Sequence, residues 1–248
     1  VLGIYGTAAY EADKWGLKLG VRFEDTNVGT ILKNSNEQND QKYNNFFPSG
    51  HASYKLNDDL SVQAGYSKRI FRPRLWDLNP FYNIRNNFNI RTGNPDLQPE
   101  FTDSYEITSI YKLGKVSMNV GVFYRHTEDV VENVVAFENN VSVSRPENIG
   151  INNTKGIEFN AKYIPINWLS FTNDFNYSSF VREGSFEGAS FDFTGDQWST
   201  RLTGKIKLPA DIDMEVIGNY QSGFRTFQQK ISENLFMDFG ARKKILKG

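Results

Sequence analysis

Leu17-Lys18-Leu19-Gly20-Val21-Arg22-Phe23-Glu24 alternates apolar residues with charged or small ones without a break. A period of two sends successive side chains to opposite faces of a β-strand, so this octapeptide has one greasy face and one wet face. The same pattern returns in Leu60, Val62, Ala64 and Tyr66, in Val116, Met118, Val120, Val122 and Tyr124, and in Ile157, Phe159, Ala161 and Tyr163. It returns again in Leu202, Gly204, Ile206 and Leu208, and in Ile212, Met214, Val216 and Tyr220. Weaker copies lie near residues 2 to 11, 46 to 56, 103 to 113, 169 to 180 and 234 to 245, which makes about eleven expected strands in 248 residues.

The connections discriminate between folds that the alternation alone does not separate. Short turns are expected at Ala12 to Trp15, Asn57 to Asp59, Gly114 to Lys115, Pro165 to Trp168 and Pro209 to Asp211. Long polar links near 26 to 42, 70 to 100, 127 to 152, 181 to 196 and 222 to 233 alternate with them. A soluble antiparallel sheet with one wet face has the same period, but it has no reason to collect its long loops at one end. A barrel in an outer membrane has short periplasmic turns and longer extracellular loops. The expected fold class is therefore all-β: an antiparallel transmembrane β-barrel segment. Tyr66, Tyr124, Tyr163, Trp168, Tyr177, Trp198 and Tyr220 fall at strand ends, where interfacial aromatic girdles sit.

Composition agrees. No apolar run approaches the roughly 20 residues of a membrane-spanning helix. A formal net charge of -1 argues against a nucleic-acid partner, and Cys is 0. No secretory signal opens the sequence. Single-chain bacterial barrels close with an even number of strands, and the pattern stops at Lys247-Gly248 where the next short turn is due. Residues 1–248 are accordingly expected to be one barrel segment, an internal piece of a larger barrel.

One link carries a motif. It reads Arg69-Ile70-Phe71-Arg72-Pro73-Arg74-Leu75-Trp76-Asp77-Leu78-Asn79-Pro80-Phe81, then Gly93-Asn94-Pro95-Asp96-Leu97-Gln98-Pro99-Glu100. Pro95 and Pro99 remove two backbone donors, so the second part is not a central strand. Gly93-Asn94 is expected to turn through positive φ, Asp96 to bond its own backbone, and Glu100 to begin the next strand. Pro73 and Pro80 are expected to do the same on the ascending side. This stretch resembles the barrel of TonB-dependent outer-membrane receptors, in the branch described as the outer-membrane β-barrel protein family. The rhythm of strands and loops resembles that family over the whole chain. The resemblance implies a barrel of about 22 strands in a Gram-negative outer membrane, with outer-membrane lipid around it. It also implies a plug domain inside, reached by TonB, and the uptake of a scarce nutrient such as a siderophore, cobalamin or glycan. The plug and roughly the last three strands would lie outside this sequence.

The same link concentrates Arg69, Arg72, Arg74, Arg85 and Arg91 beside Phe71, Trp76, Phe81, Tyr82 and Phe88. Forked guanidinium donors beside aromatic faces suit an anionic or sugar-like ligand, so these residues are the expected border of a ligand entrance. Lys18, Arg22, Glu24, Lys55, Arg69, Glu106, Arg125, Glu158, Lys162, Asp174, Arg201, Lys205, Asp213 and Glu215 fall on the wet face and are expected to line the lumen. No catalytic constellation or cofactor motif is expected. His51 and His126 fall on opposite parities, and no nucleophile turn or phosphate loop occurs. Asn34 to Asp40 is rich in oxygen ligands without calcium-loop spacing. Two other functions fit the same strands, a plug-free passive channel and a soluble carbohydrate-binding β domain.

Overall fold

The computed structural model describes residues 1–32, 37–86, 88–186, 188–225 and 230–245. In chain order it begins with β1 (Leu2–Glu11), β2 (Trp15–Leu32), β3 (Glu37–Lys55) and β4 (Leu60–Phe71), then a single helical turn α1 (Leu75–Leu78). β5 (Asn83–Asn86), β6 (Asn89–Arg91), β7 (Glu100–Leu113), β8 (Val116–Glu128), β9 (Val131–Glu138) and β10 (Val141–Asn148) follow. The remainder is β11 (Gly150–Ile166), β12 (Leu169–Phe186), β13 (Ala189–Leu208), β14 (Ile212–Gln221), β15 (Phe224–Arg225), β16 (Lys230–Ile231) and β17 (Asn234–Lys243). Eleven of these strands form one sheet in the order β1-β2-β3-β4-β7-β8-β11-β12-β13-β14-β17, every pair antiparallel. These are the eleven alternating segments.

Register turns the alternation into two continuous surfaces. Leu17, Ala52, Ala64, Ile107, Val122, Ile157, Tyr177 and Trp198 are successive partners across eight strands. That row stays apolar and uncovered, with Ile107 55% and Val122 49% exposed. An apolar surface this wide on a monomer marks contact with a membrane or a partner. One residue away, Lys18, His51, Gly65 and Glu106 make the opposite row. The wet face carries cross-strand ion pairs, Arg125 to Glu158 at 3.2 Å, Lys205 to Glu215 at 3.3 Å and Arg242 to Asp213 at 2.7 Å. Each is solvated and contributes little alone.

Aromatic pairs bound the apolar band. Trp15 packs on Tyr54 at 4.4 Å near the short turns, and Phe23 packs on Phe46 at 4.9 Å toward the other end. Eight residues separate the two levels on both β2 and β3, about 27 Å along the strand. At the roughly 40° tilt of such barrels this is about 20 Å of height, close to the ~25 Å apolar band of an outer-membrane barrel. Tyr66, Tyr105 and Tyr124 continue the upper level, at 5.0 and 6.3 Å between ring centroids. Just above them the outward row turns polar, with Lys68, Asp103, His126 and Asn153 as successive partners. His126 thus faces outward and His51 inward, as their parities require.

The long links are the main correction. Three of the five are largely β structure, and the motif link is so in part. β2 and β3 stay paired out to Leu32 and Glu37, and β12 and β13 out to Phe186 and Ala189. The link after β8 is the β9-β10 hairpin, and the motif link contributes β5 and β6. Above the membrane neither face needs to be apolar, so the alternation disappears while the backbone ladder continues. Asn34, Ser35 and Asn36 lie outside the described residues, and Glu37 to Asp40 belongs to β3. Pro48 sits in β3 opposite Val21, one residue above the point where pairing with β4 stops at Ser49. Lacking an N–H, it ends the ladder on that side and leaves the upper edge of β3 free for side-chain contacts.

Val120→Arg, which sends a charge into the outward band of β8, is expected to cost about 2–4 kcal/mol in a urea titration of the intact protein folded into lipid vesicles. Asn119→Arg, on the inner face of the same strand, is expected to change the midpoint little.

Candidate functional site

The end of the sheet opposite the short turns is organised around residues 72–100. β4 stops at Phe71, and Arg72 turns inward. Its guanidinium donates to the Glu24 carboxylate, to Thr26 Oγ1 at 3.3 Å and to the Tyr43 hydroxyl at 3.2 Å. Glu24 is 8% exposed, and it also holds Arg22 at 3.0 Å. Burial by itself would lower the Arg72 pKa, but its hydrogen bonds to Glu24 and Tyr43 outweigh this and raise it. Arg72 is therefore a tie between the β4 exit and the β2-β3 hairpin.

α1 repeats this arrangement on a smaller scale. Asp77 accepts the Arg74 backbone N–H at 3.1 Å and Arg74 Nε at 3.2 Å, and Arg91 lies 3.6 Å from its other oxygen. A third-position carboxylate on the N-cap amide is half of a capping box. The Asp77 carbonyl accepts the Asn94 N–H at 2.6 Å, and the Asn79 carbonyl accepts the Gly93 N–H at 2.8 Å. This close approach is why residue 93 is glycine. An added Cβ would lie 2.5 Å from the Asn79 oxygen and 2.7 Å from its nitrogen. Neither Gly93 nor Asn94 takes the positive φ expected of them; steric proximity makes the demand instead of dihedral angle. The local side-chain turn belongs to Asn94, whose Oδ1 accepts the Asp96 N–H at 3.0 Å, and Asp96 itself accepts from Asn39 Nδ2 at 2.7 Å.

Residues 94–98 staple two other hairpins together. Gln41 Nε2 donates to the carbonyls of Pro95 and Leu97 at 2.8 and 3.1 Å from the free edge of β3. Asn94 Nδ2 donates to the Glu147 carboxylate at 2.8 Å and the Pro146 carbonyl at 3.3 Å. Asn148 accepts the Gln98 N–H at 2.8 Å and returns a bond to the Gln98 carbonyl at 3.0 Å. Leu97, 1% exposed, is buried at the centre of these contacts. Pro95 and Pro99 stand outside any strand, and Glu100 opens β7. Nothing local in the sequence pairs residue 41 or residues 146–148 with this segment. Their partners are about fifty positions away; the β6-β10 parallel pairing brings in residues 146–148, and the long β2-β3 hairpin brings in Gln41.

A second buried cluster lies at the same level inside the sheet. Glu100 accepts the Val131 N–H at 2.7 Å, and Arg182 pairs with Glu132 and lies over the Phe180 ring at 5.2 Å. Burial pushes the Glu100 carboxyl up, against the Val131 bond and the Arg182 charge, and burial pulls Arg182 down. Sequence reading overlooked this cluster, since Arg182 sits in a stretch expected to be loop.

The expected entrance residues divide into two groups. Arg72, Arg74 and Arg91 are tied to Glu24 and Asp77. Arg69 is exposed on the inner parity of β4, and it has no ion-pair partner among the described residues. The Arg85 side chain lies outside the described ones. The aromatic residues are uncovered: Trp76 is 76%, Tyr82 69% and Phe81 51% exposed, with Phe71 and Phe88 also exposed. Trp76, Phe81, Tyr82 and Arg91 come together around one groove of about 470 Å³, with Asn79, Asn83, Ile84, Thr92 and Gly93. A second depression of about 660 Å³ lies on the inner face of the sheet, lined by Glu158, Asn160, Asp174, Asn176, Arg201 and Asn219 among others.

A wide antiparallel sheet with a lipid-compatible band between two aromatic levels, a polar inner face and a stapled cap of hairpins defines the wall of a membrane-spanning β-barrel. The family model of the outer membrane protein beta-barrel family matches residues 1–248, and the chain belongs to that family. It accordingly resides in the outer membrane of a Gram-negative bacterium. Among solved structures, the copper transporter OprC superposes at TM-score 0.71 with 13% identity, covering 99% of this chain and 40% of that one. The ferric enterobactin receptor of Pseudomonas aeruginosa superposes at 0.64 with 14% identity, covering 99% and 38%. The FrpB iron transporter of Neisseria meningitidis superposes at 0.64 with 17% identity, covering 98% and 38%. The chain thus spans well under half the length of these structures, and at such identities the likeness is one of fold. A comparison with curated protein sequences found no significant match.

Asn94→Ala removes the bonds to Pro146, Glu147 and Asp96 together and is expected to loosen the cap by about 1–3 kcal/mol. Protease cutting between residues 129 and 149 should accelerate while the melting of the barrel is unchanged. Because the folded pKa of Glu100 lies above the ordinary glutamate value, its contribution to stability is complete below that value, about 4.3, and is lost as pH rises through the folded pKa. Amide exchange at Val131 is therefore expected to be better protected in mild acid than at neutral pH, once corrected for intrinsic exchange, and Glu100→Gln should abolish the difference.

Proposed function

We propose that this chain is part of the wall of a TonB-dependent outer-membrane receptor that takes up a scarce nutrient and carries out no chemistry on it. The observation that carries this reading is the near-complete superposition on barrels whose own names are those of receptors and transporters. The motif from Gly93 to Glu100 supports it.

The inner face supports a plug. Its residues are polar and uncovered, and the depression between Glu158 and Asn219 suits contact with a separate domain in the lumen. The edges support further wall. β1 and β17 are exposed at every position and have no outer neighbour among the described residues. Hydrocarbon does not satisfy such an edge, so both would pair with strands beyond this chain. β1 and β17 run in the same direction, each toward a short-turn end. Two copies in one membrane would therefore meet with parallel edges, whereas antiparallel closure needs an odd number of intervening strands. Eleven more give the barrel of about 22 strands expected from the family resemblance.

Uptake by cells carrying the intact receptor is expected to stop when TonB is deleted and when the inner-membrane proton gradient is collapsed. A plug-free channel would continue to pass its solute under both treatments, and that result would overturn the proposal.

A further inference from the structure

The outer groove separates two ligand chemistries that the sequence leaves together. A highly charged metal chelate is recognised by guanidinium groups that lack internal partners, since forked charge-assisted hydrogen bonds give such sites their strength. The groove between Trp76 and Arg91 does not offer them. Arg91 is the one charged residue among its described lining, and Asp77 stands 3.6 Å from it. Arg74 shares the same Asp77 carboxylate at 3.2 Å, and Arg72 is taken by the buried Glu24.

What the groove does offer is uncharged. The rings of Trp76, Phe81 and Tyr82 are more than half exposed and have no stacking partner among the described residues. The Asn83 side chain and the Tyr82 hydroxyl have no hydrogen-bond partner there either. Among the described residues Asn79 uses only its Oδ1, on the Phe81 N–H at 3.2 Å, and its amide nitrogen is left over. Aromatic faces beside planar amides that donate and accept at once suit a ring with an apolar face and a rim of hydroxyls. The volume, about 470 Å³, is within the usual range for small-molecule sites. The floor is held rigid by the Gly93–Asn79 and Thr92–Pro80 hydrogen bonds, at 2.8 and 2.9 Å, so the site is pre-formed.

We infer that this groove is a saccharide-binding site, in which a neutral sugar ring stacks on Trp76 and Tyr82 and its hydroxyls bond Asn79, Asn83 and Arg91. The inference rests on the receptor reading above, and it names the class of ligand that the receptor meets first. Anionic chelates are poor occupants, because reaching Arg91 would mean approaching Asp77 as well.

The test uses the intact receptor in detergent, titrated calorimetrically with neutral hexasaccharides of α-1,4-glucose, β-1,4-glucose, β-1,4-xylose and β-1,4-mannose. An iron(III) tris-catecholate is titrated in parallel. At least one hexasaccharide is expected to bind with an affinity unchanged between low and high salt. Trp76→Ala and Tyr82→Ala should each weaken it at least tenfold, and Asn83→Ala about threefold, with the melting temperature unchanged. The inference is overturned if none of the four binds, if binding survives Trp76→Ala and Tyr82→Ala together, or if only the catecholate binds and salt or Arg91→Gln weakens it. Loss of saccharide binding with TonB-dependent uptake intact would sink the site and leave the receptor reading. Saccharide binding without energised uptake would do the reverse.

Discussion

Every backbone N–H and C=O that lies in hydrocarbon must find a partner within the protein, because the solvent there supplies none. This requirement explains why the eleven long strands form a single antiparallel sheet with no gap, and why the residues between the two aromatic levels keep their alternation so strictly. A register slip of one residue would turn Ile107 and Ile157 inward and their neighbours Glu106 and Glu158 outward, exposing carboxylates to lipid. The membrane therefore enforces register more severely than an aqueous core would. Above the aromatic level the enforcement ends, and β2-β3 and β12-β13 continue as hairpins with no apolar face to keep them in step.

Outside the membrane a different device takes over. The outer hairpins have little apolar core of their own, and Leu97, Val134 and Ile149 are among the few deeply buried apolar side chains in the structure. Order comes from polar side chains bonding to backbone: Gln41 and Asn148 on the turn at 95–98, and Asn94 on β10. Such bonds are individually modest, about 1 kcal/mol net, but they satisfy carbonyls and amides that the prolines leave without ladder partners. The prolines and the amides are thus two parts of one solution. Pro95 and Pro99 keep the segment out of the sheet, and the side chains of Gln41, Asn94 and Asn148 then anchor it.

The arginines illustrate how composition and geometry diverge. Clustered guanidiniums beside aromatics invite an anion when seen in one dimension. In the folded chain Glu24 holds Arg72 and Asp77 holds Arg74 and Arg91, so these cations brace the cap, and the aromatic rings are left as its uncovered surface. Glu24 lies 48 positions from Arg72, on a strand whose role in the sequence is to alternate. No local pattern identifies it as a partner.

The sequence by itself determined what depends on neighbours one and two positions apart: the eleven strands of the main sheet, their inner and outer faces, the short turns, and a proline-rich re-entry before Glu100. These are readable because lipid imposes a period on each strand separately. Only the tertiary structure decided what depends on contacts between residues apart in sequence: that three of the long links are paired strands, that Gly93 is needed for space and not for its dihedral angle, and that Arg182 pairs with Glu132. It also decided which of the entrance residues remain available to a ligand. In water above the membrane no period is imposed, and a hydrogen bond from Gln41 or Asn94 leaves no trace in the residues beside it.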